Sequence, residues 1–323
     1  MNRIWYFDNI KFVLILLVVT GHFAETIMDT SQLAFSLRTF IYSFHMPAFI
    51  MISGMFYSEK REKNIRNVIF YFTVFLLMQS VSIIKGICLG TMESFDVFVV
   101  SGVPWYLLAL CIWSIITSFL PRNMISRKYV IILAFTLGLI IGYDNSLPTD
   151  VFCISRVIVF YPFFLLGTII DKNRLVSFSQ RKDVKIASIC IITIVAILCL
   201  FYTDYISPIN PLLSARHQYY ETGLYYWGAC LRAALYIVEL LMTFSVISLV
   251  PRRNLLISKL GTRTISVYAL HYHFIILVSQ LFPDRLLIFV PAAIIVTFIL
   301  SIKYVYYPFE WIRRVCLAVN INA

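Results

Sequence analysis

Runs of about twenty apolar residues recur from one end of the chain to the other, parted by short polar, turn-rich or charged connections. Each run can cross the ~30 Å hydrocarbon core of a bilayer as a helix. The pattern therefore predicts an all-α polytopic membrane protein. Ten helices are expected, over about 9–26, 38–57, 67–90, 104–120, 129–143, 156–171, 184–202, 224–250, 264–282 and 286–307. No connection has room for a soluble domain, so residues 1–323 read as one membrane domain without repeats or linkers.

The connections alternate in charge. Lys60, Arg61, Lys63 and Arg66 follow the second run, and Arg122, Arg127 and Lys128 the fourth. Lys172, Arg174, Arg181, Lys182 and Lys185 follow the sixth, Arg252, Arg253, Lys259 and Arg263 the eighth, and Arg313 and Arg314 the tenth. With the N-terminus, this side takes all of the 27 basic residues except Arg38, Lys85, Arg156, Arg216, Arg232 and Arg285. Basic residues stay cytoplasmic, so both termini are expected inside, which requires an even number of helices. The opposite connections are acidic and turn-rich: Glu25 and Asp29, Glu93 and Asp96, and Asp144 to Asp150 with Pro148. The longest, Thr203 to Gly223, carries several tyrosines, which suit either a stacking surface for sugar rings or an interfacial aromatic belt.

Composition agrees. The chain is 60% hydrophobic and only 13% charged, with a mean hydropathy of +0.85, far from a soluble domain. The net charge of +11 is accounted for by anchoring loops, so it does not point to nucleic acid. Seven cysteines, mostly within apolar runs and without CxxC spacing, indicate neither a metal site nor a disulfide framework. Arg3 and the apolar stretch after it lack a small-residue cleavage site before Glu25, so they read as a retained first helix rather than a signal peptide. GxxxG spacings at Gly86–Gly90 and Gly138–Gly142 suit close helix packing.

Against this background, the ionisable residues inside apolar runs stand out. The first run holds Asp8, Lys11 and His22; the second holds His45, then Pro47 and a Ser53–Gly54 break. Lys11 and His22 are eleven residues apart, about three helical turns, so they share a face roughly 16 Å apart along the axis. Groups of this kind at membrane depth face a protein interior or a wet cavity. The topology puts Lys11 near the cytoplasmic end and His22 in the outer part, with His45 at a similar depth on a neighbouring antiparallel helix. His271 lies mid-way along the ninth helix, with Tyr268 and His273 close by, and Arg232 and Glu239 on the eighth share a face as a structural ion pair. Taken singly, each has a plain reading: a packed histidine, a snorkelling lysine, a topology anchor. Two histidines converging above a cation favour histidine as a general base. No serine or cysteine nucleophile has a recognisable setting, which favours direct transfer. The cluster from Lys60 to Arg66 suits a polyphosphate.

At these residues the sequence resembles acyltransferase family 3, the integral membrane acyltransferases, especially the fucose 4-O-acetylase-like branch. The resemblance rests on Lys11 to His22 within FDNIK…VVTGH and on SFHMPAF followed by Ser53–Gly54. PWYLLAL (104–110), YPFFLLG (161–167) and LGTRTISVYALH (260–271) add to it, so that it covers most of the chain. Lysine stands at position 11 where the family often has arginine, keeping charge but not the guanidinium fork, and the periplasmic domain often fused in the family is missing. The resemblance implies a cytoplasmic acyl-CoA donor, commonly acetyl-CoA, with no metal. It also implies an extracytoplasmic or lipid-linked carbohydrate acceptor O-acylated in the bacterial inner membrane. It makes His22 the essential histidine and Lys11 its paired basic residue, with Lys63 and Arg66 against the CoA phosphates. Asp8 or Glu25 is expected to tune the field, and His45 to orient His22 or stabilise an oxyanion. Trp105, Glu25 and His271 are expected to line the acceptor side. The rival reading is a transporter or flippase of a lipid-linked sugar, which calls for an inverted repeat that the sequence does not display; a structural subunit of an export complex is a third.

Overall fold

The computed structural model describes residues 5–88, 99–100, 102–121, 123–144, 151–282 and 286–319. Arg3, Gly90, Glu93, Asp96, Arg122, Arg285 and the 145–150 stretch with Pro148 lie outside them. The described residues form helices α1 (Trp5–Glu25), α2 (Gln32–Tyr42), α3 (His45–Met55), α4 (Arg61–Cys88), α5 (Trp105–Ser118), α6 (Met124–Ile140), α7 (Ile154–Ile169) and α8 (Lys172–Phe178). They continue as α9 (Lys182–Phe201), α10 (Thr203–Ile206), α11 (Gly228–Leu249), α12 (Leu256–Leu260), α13 (Thr264–Leu281), α14 (Leu286–Leu300) and α15 (Lys303–Ala318). No strand occurs among them; Val99 and Val151 form an isolated antiparallel bridge.

Six helices are long and apolar enough to cross a membrane alone, and eight if the bent pairs α7–α8 and α14–α15 each count as one span. The differences from ten unbroken spans have local causes. The expected 38–57 span is two helices, parted at Ser43–Phe44. Pro47, in the first turn of α3, has no N–H to donate to the Ser43 carbonyl, and its ring would clash there if the helix ran on. At the 53° bend between α14 and α15, the carbonyls of Ser301 and Leu300 accept from Arg263 Nη1 (3.1 Å) and Ser266 Oγ (2.7 Å) instead. After α7 the chain turns by 94°, and Asp171 caps α8 by accepting from the Arg174 amide at 2.7 Å. The loop from Thr203 to Gly223 is ordered by short helical turns, and Tyr219 is buried within it, donating to the Leu139 carbonyl at 2.9 Å. That tyrosine packs the fold and offers no stacking face to a ligand.

Helix α1 is the hub. Of its apolar window 67% is buried inside the protein, against 11% for α9, which faces outward. It packs against α2, α3, α12, α13 and α14, so Asp8, Lys11 and His22 are shielded from lipid. Its inner end is tied down by polar contacts. Tyr6 donates to the Ile247 carbonyl (2.6 Å), Asn9 donates to the carbonyls of Pro251 (2.8 Å) and Arg253 (3.0 Å), and Ser258 donates to Asn9 Oδ1 (2.5 Å).

The closest helix crossing is α3 on α7. A Cβ at Gly54 would collide with the Phe164 carbonyl, and one at Gly167 with the Met51 carbonyl. Gly54 is therefore not a break in the helix but the site of backbone contact. The obstacle is main chain, which cannot rotate away. Gly54→Val is expected to destabilise the protein by at least the roughly 1–3 kcal/mol typical of overpacking, read as a lowered midpoint of thermal unfolding in detergent. An unchanged midpoint would mean that this crossing does not hold the bundle together.

Candidate active site

His22 occupies the last turn of α1, where the helix leads into the outer connection. Its Nδ1 lies 3.0 Å from Glu25 Oε2, one turn on. Tyr42, at the end of α2, donates its hydroxyl to the same carboxylate oxygen at 2.9 Å and lies 3.2 Å from His22 Nδ1. Arg38, one turn earlier on α2, reaches Glu25 Oε1 at 3.5 Å, stacks on the Tyr42 ring at 3.9 Å and donates to Asn210 Oδ1. A carboxylate only accepts, so Nδ1 of His22 carries the proton and Nε2 holds the free lone pair. The site thus contains the orienting half of an acid–base dyad.

The break before Pro47 delivers His45 to the same place. Its ring is 4.6 Å from the Tyr42 ring, and its Nδ1 lies 2.9 Å from the Ile41 carbonyl, across the break. That carbonyl can only accept, so the neutral ring presents a bare Nε2. Neutral His45 can then accept a hydrogen bond but cannot donate one to an oxyanion. From α13, His271 brings its ring to 5.4 Å from that of His22. Its Nδ1 lies 2.9 Å from the carbonyls of Val267 and Tyr268, and its buried Nε2 has no hydrogen-bond partner.

Two cavities lie on either side of this layer. One, at the His22 end of α1 and called outer after the topology expected from the sequence, is about 210 Å³ and is walled by His22, Glu25, Tyr42 and His45, by Trp105, Arg156 and Tyr272, and by Ser214 and Arg216 of the long loop. The inner one, about 280 Å³, is walled by Lys11, Lys63 and Arg313, by Ser53 and Phe56, and by Tyr106 and Tyr268. Helix α13 serves both, with Tyr268 facing inward, Tyr272 outward and His271 buried between. The partition is thin and hydrogen-bonded. Tyr268 donates to the Val103 carbonyl, its ring lies 5.5 Å from that of Tyr106, and Tyr106 meets Ser53 Oγ at 2.6 Å.

The structure therefore brings His22, His45 and Glu25 together with Trp105 on the outer side, and Lys11 with Lys63 on the inner. Asp8 does not join His22. It pairs with Lys11 at 2.8 Å, at the opposite end of α1. Arg66 lines neither cavity, and its buried Nε has no partner. His271 abuts His22 but lines neither cavity. Arg232 and Glu239 are a fully buried pair at 3.9 Å, apart from both cavities. Sequence reasoning missed Tyr42 and Arg38, although their four-residue spacing ahead of His45 was a legible sign that both share a face. No group of acidic residues, histidines and cysteines among the described residues could hold a metal ion.

No curated protein and no solved structure matches the chain. The family model described as an acyltransferase domain, that of acyltransferase family 3, matches residues 4–306. With an all-α fold of six to eight helices able to cross a membrane, and a domain match spanning nearly its whole length, the chain belongs to acyltransferase family 3 and is a multi-pass membrane acyltransferase.

Proposed function

We propose that the protein moves an acyl group, most simply acetyl, from cytoplasmic acyl-CoA to a hydroxyl of a cell-surface or lipid-linked carbohydrate, with His22 as general base. The observation that carries this reading is the His22–Glu25 contact on the wall of the outer cavity. A carboxylate holds Nδ1–H, so the lone pair of Nε2 is left for an incoming hydroxyl.

The acceptor hydroxyl gives its proton to His22 Nε2 as its oxygen attacks the thioester carbonyl. The new C–O bond forms, the C–S bond breaks, and the thiolate takes the proton back from the imidazolium, leaving an ester and free CoA. Glu25, held by Tyr42 and Arg38, stabilises the imidazolium during the step. The Arg156 and Arg216 guanidiniums are the cationic donors on the same wall for the developing oxyanion. Trp105, with Arg156 5.0 Å over its ring, gives the acceptor sugar a flat apolar face. The CoA phosphates rest at the cations of the inner cavity. The pantetheine arm climbs about 16 Å along α1, past Tyr106 and Tyr268, to His22. The distribution of basic residues supports both termini in the cytoplasm, and the family likeness supports a bacterial inner membrane as the setting.

Purified protein given labelled acetyl-CoA and an acceptor glycan is expected to release CoA and label the glycan. His22→Ala is expected to lower that rate by about 10²- to 10⁴-fold while leaving membrane insertion intact. Near-normal transfer by this variant would remove the general-base assignment. Glu25→Gln, which keeps shape but loses the charge that fixes the tautomer, is expected to lower kcat on the order of 10²-fold or more; a change confined to KM would make Glu25 a binding group only.

A further inference from the structure

Beside the inner cavity two helices bring lysines to one aromatic ring. Phe56, which ends α3 and lines the cavity, has Lys11 Nζ of α1 5.3 Å from its ring centre and Lys172 Nζ of α8 only 4.1 Å away. Lys63, near the start of α4, lines the same cavity, and so does Arg313 of α15, whose guanidinium lies 5.9 Å over the Phe70 ring. Four cations from four helices thus converge on one mouth. The carboxylates near them are engaged: Asp8 holds Lys11 at 2.8 Å, and Asp171 caps α8. Neither Lys63, Lys172 nor Arg313 makes an ion pair among the described residues.

Like charges gathered this way repel, and a folded protein holds them together where an anion neutralises them. Lys172 feels that repulsion: burial lowers its pKa, and the Lys63 and Lys11 ammoniums lower it further. The reason it is there at all is the 94° turn between α7 and α8, which places the first residue of a capped helix over Phe56 instead of letting the span run on into the cytoplasm.

We propose that Lys172 is a donor-binding residue, holding with Lys63 and Arg313 the phosphates of the acyl donor's nucleotide at the mouth of the inner cavity. The donor phosphates then lie between α4, α8 and α15, and Arg66, which faces neither cavity, is not among their ligands. The Lys172 ammonium lies over the ring of Phe56, which itself lines the cavity. This assignment rests on the acyl-CoA reading of the site.

The test compares two donors in the full-length protein, acetyl-CoA and acetyl-pantetheine, which carries the same reactive thioester without any phosphate. Lys172→Met keeps an apolar stem on Phe56 and removes the charge. It is expected to raise the ratio of KM for acetyl-CoA to KM for acetyl-pantetheine about tenfold, and Lys172→Arg to restore it. Arg181→Met, at an exposed residue paired with Asp183, is expected to leave the ratio where it stands in the wild type. A ratio unchanged in Lys172→Met, or both KM values raised together, overturns the assignment, the second outcome marking a purely structural lysine. An effect seen only in bilayers containing phosphatidylglycerol assigns the cluster to lipid headgroups and likewise overturns it. If the wild type consumes neither donor, the acyl-CoA reading itself fails. Calorimetric titration with CoA then still decides the site, because equal binding by wild type and Lys172→Met overturns it and weaker binding by the variant upholds it.

Discussion

A helix that carries an aspartate, a lysine and a histidine cannot face lipid, and the rest of the bundle follows from that constraint. Helix α1 is wrapped by α2, α3, α12, α13 and α14, while α9, whose Lys182, Asp183 and Lys185 all stand at its start, faces outward along its apolar length. These polar groups on α1 find partners inside the protein: Asp8 for Lys11, Glu25 for His22, and the carbonyls of the α11–α12 connection for Asn9. The cost of polar groups at depth is met by directional contacts, and those contacts fix the orientation of the groups on which the proposed chemistry relies.

The second consequence concerns backbone that stops being helical. A broken helix at membrane depth is tolerated where it is buried in protein or lines a cavity, and the breaks here do so. The break ahead of Pro47 lets α2 point Tyr42 and Arg38 toward Glu25 while α3 begins with His45 beside them. The turn after α7 brings Lys172 back over Phe56.

How much of this was legible in the sequence differs by residue. The alternation of apolar runs and basic connections carries the all-α membrane fold, because span length and the cost of buried charge act on short windows. Lys11 and His22 were legible for the same reason, since helical spacing alone puts them on one face. Pro47 was visible, but its effect was not, because a proline in an apolar run can kink a helix or begin one. Whether the histidine's partner was Asp8 or Glu25 depended on helix direction over a single turn: Glu25 lies one turn on from His22, whereas Asp8 lies one turn before Lys11. Residues 60–66 looked like one basic patch. Lys63 reaches the cavity wall and Arg66 does not. Lys172 and Arg313 were unreadable as site residues, since only the turns in α7–α8 and α14–α15 bring them near Lys63.

The histidine tautomers bear on the direction of the proposed proton transfer. His45 and His271 each place Nδ1 against backbone carbonyls, so in their neutral forms both present Nε2 as an acceptor. His22 alone among the three has a carboxylate on Nδ1, and on the proposed reading that carboxylate compensates the charge the ring takes on when it accepts a proton. Two neutral acceptors beside one chargeable base give the cluster a single position at which a proton is held with compensation. On the proposed reading, that position faces the acceptor, while Tyr106 and Tyr268 stand between it and the cation-lined donor cavity. The donor's nucleotide and the acceptor would then occupy separate chambers, and the thioester would be exposed to attack only after it has passed the tyrosine layer.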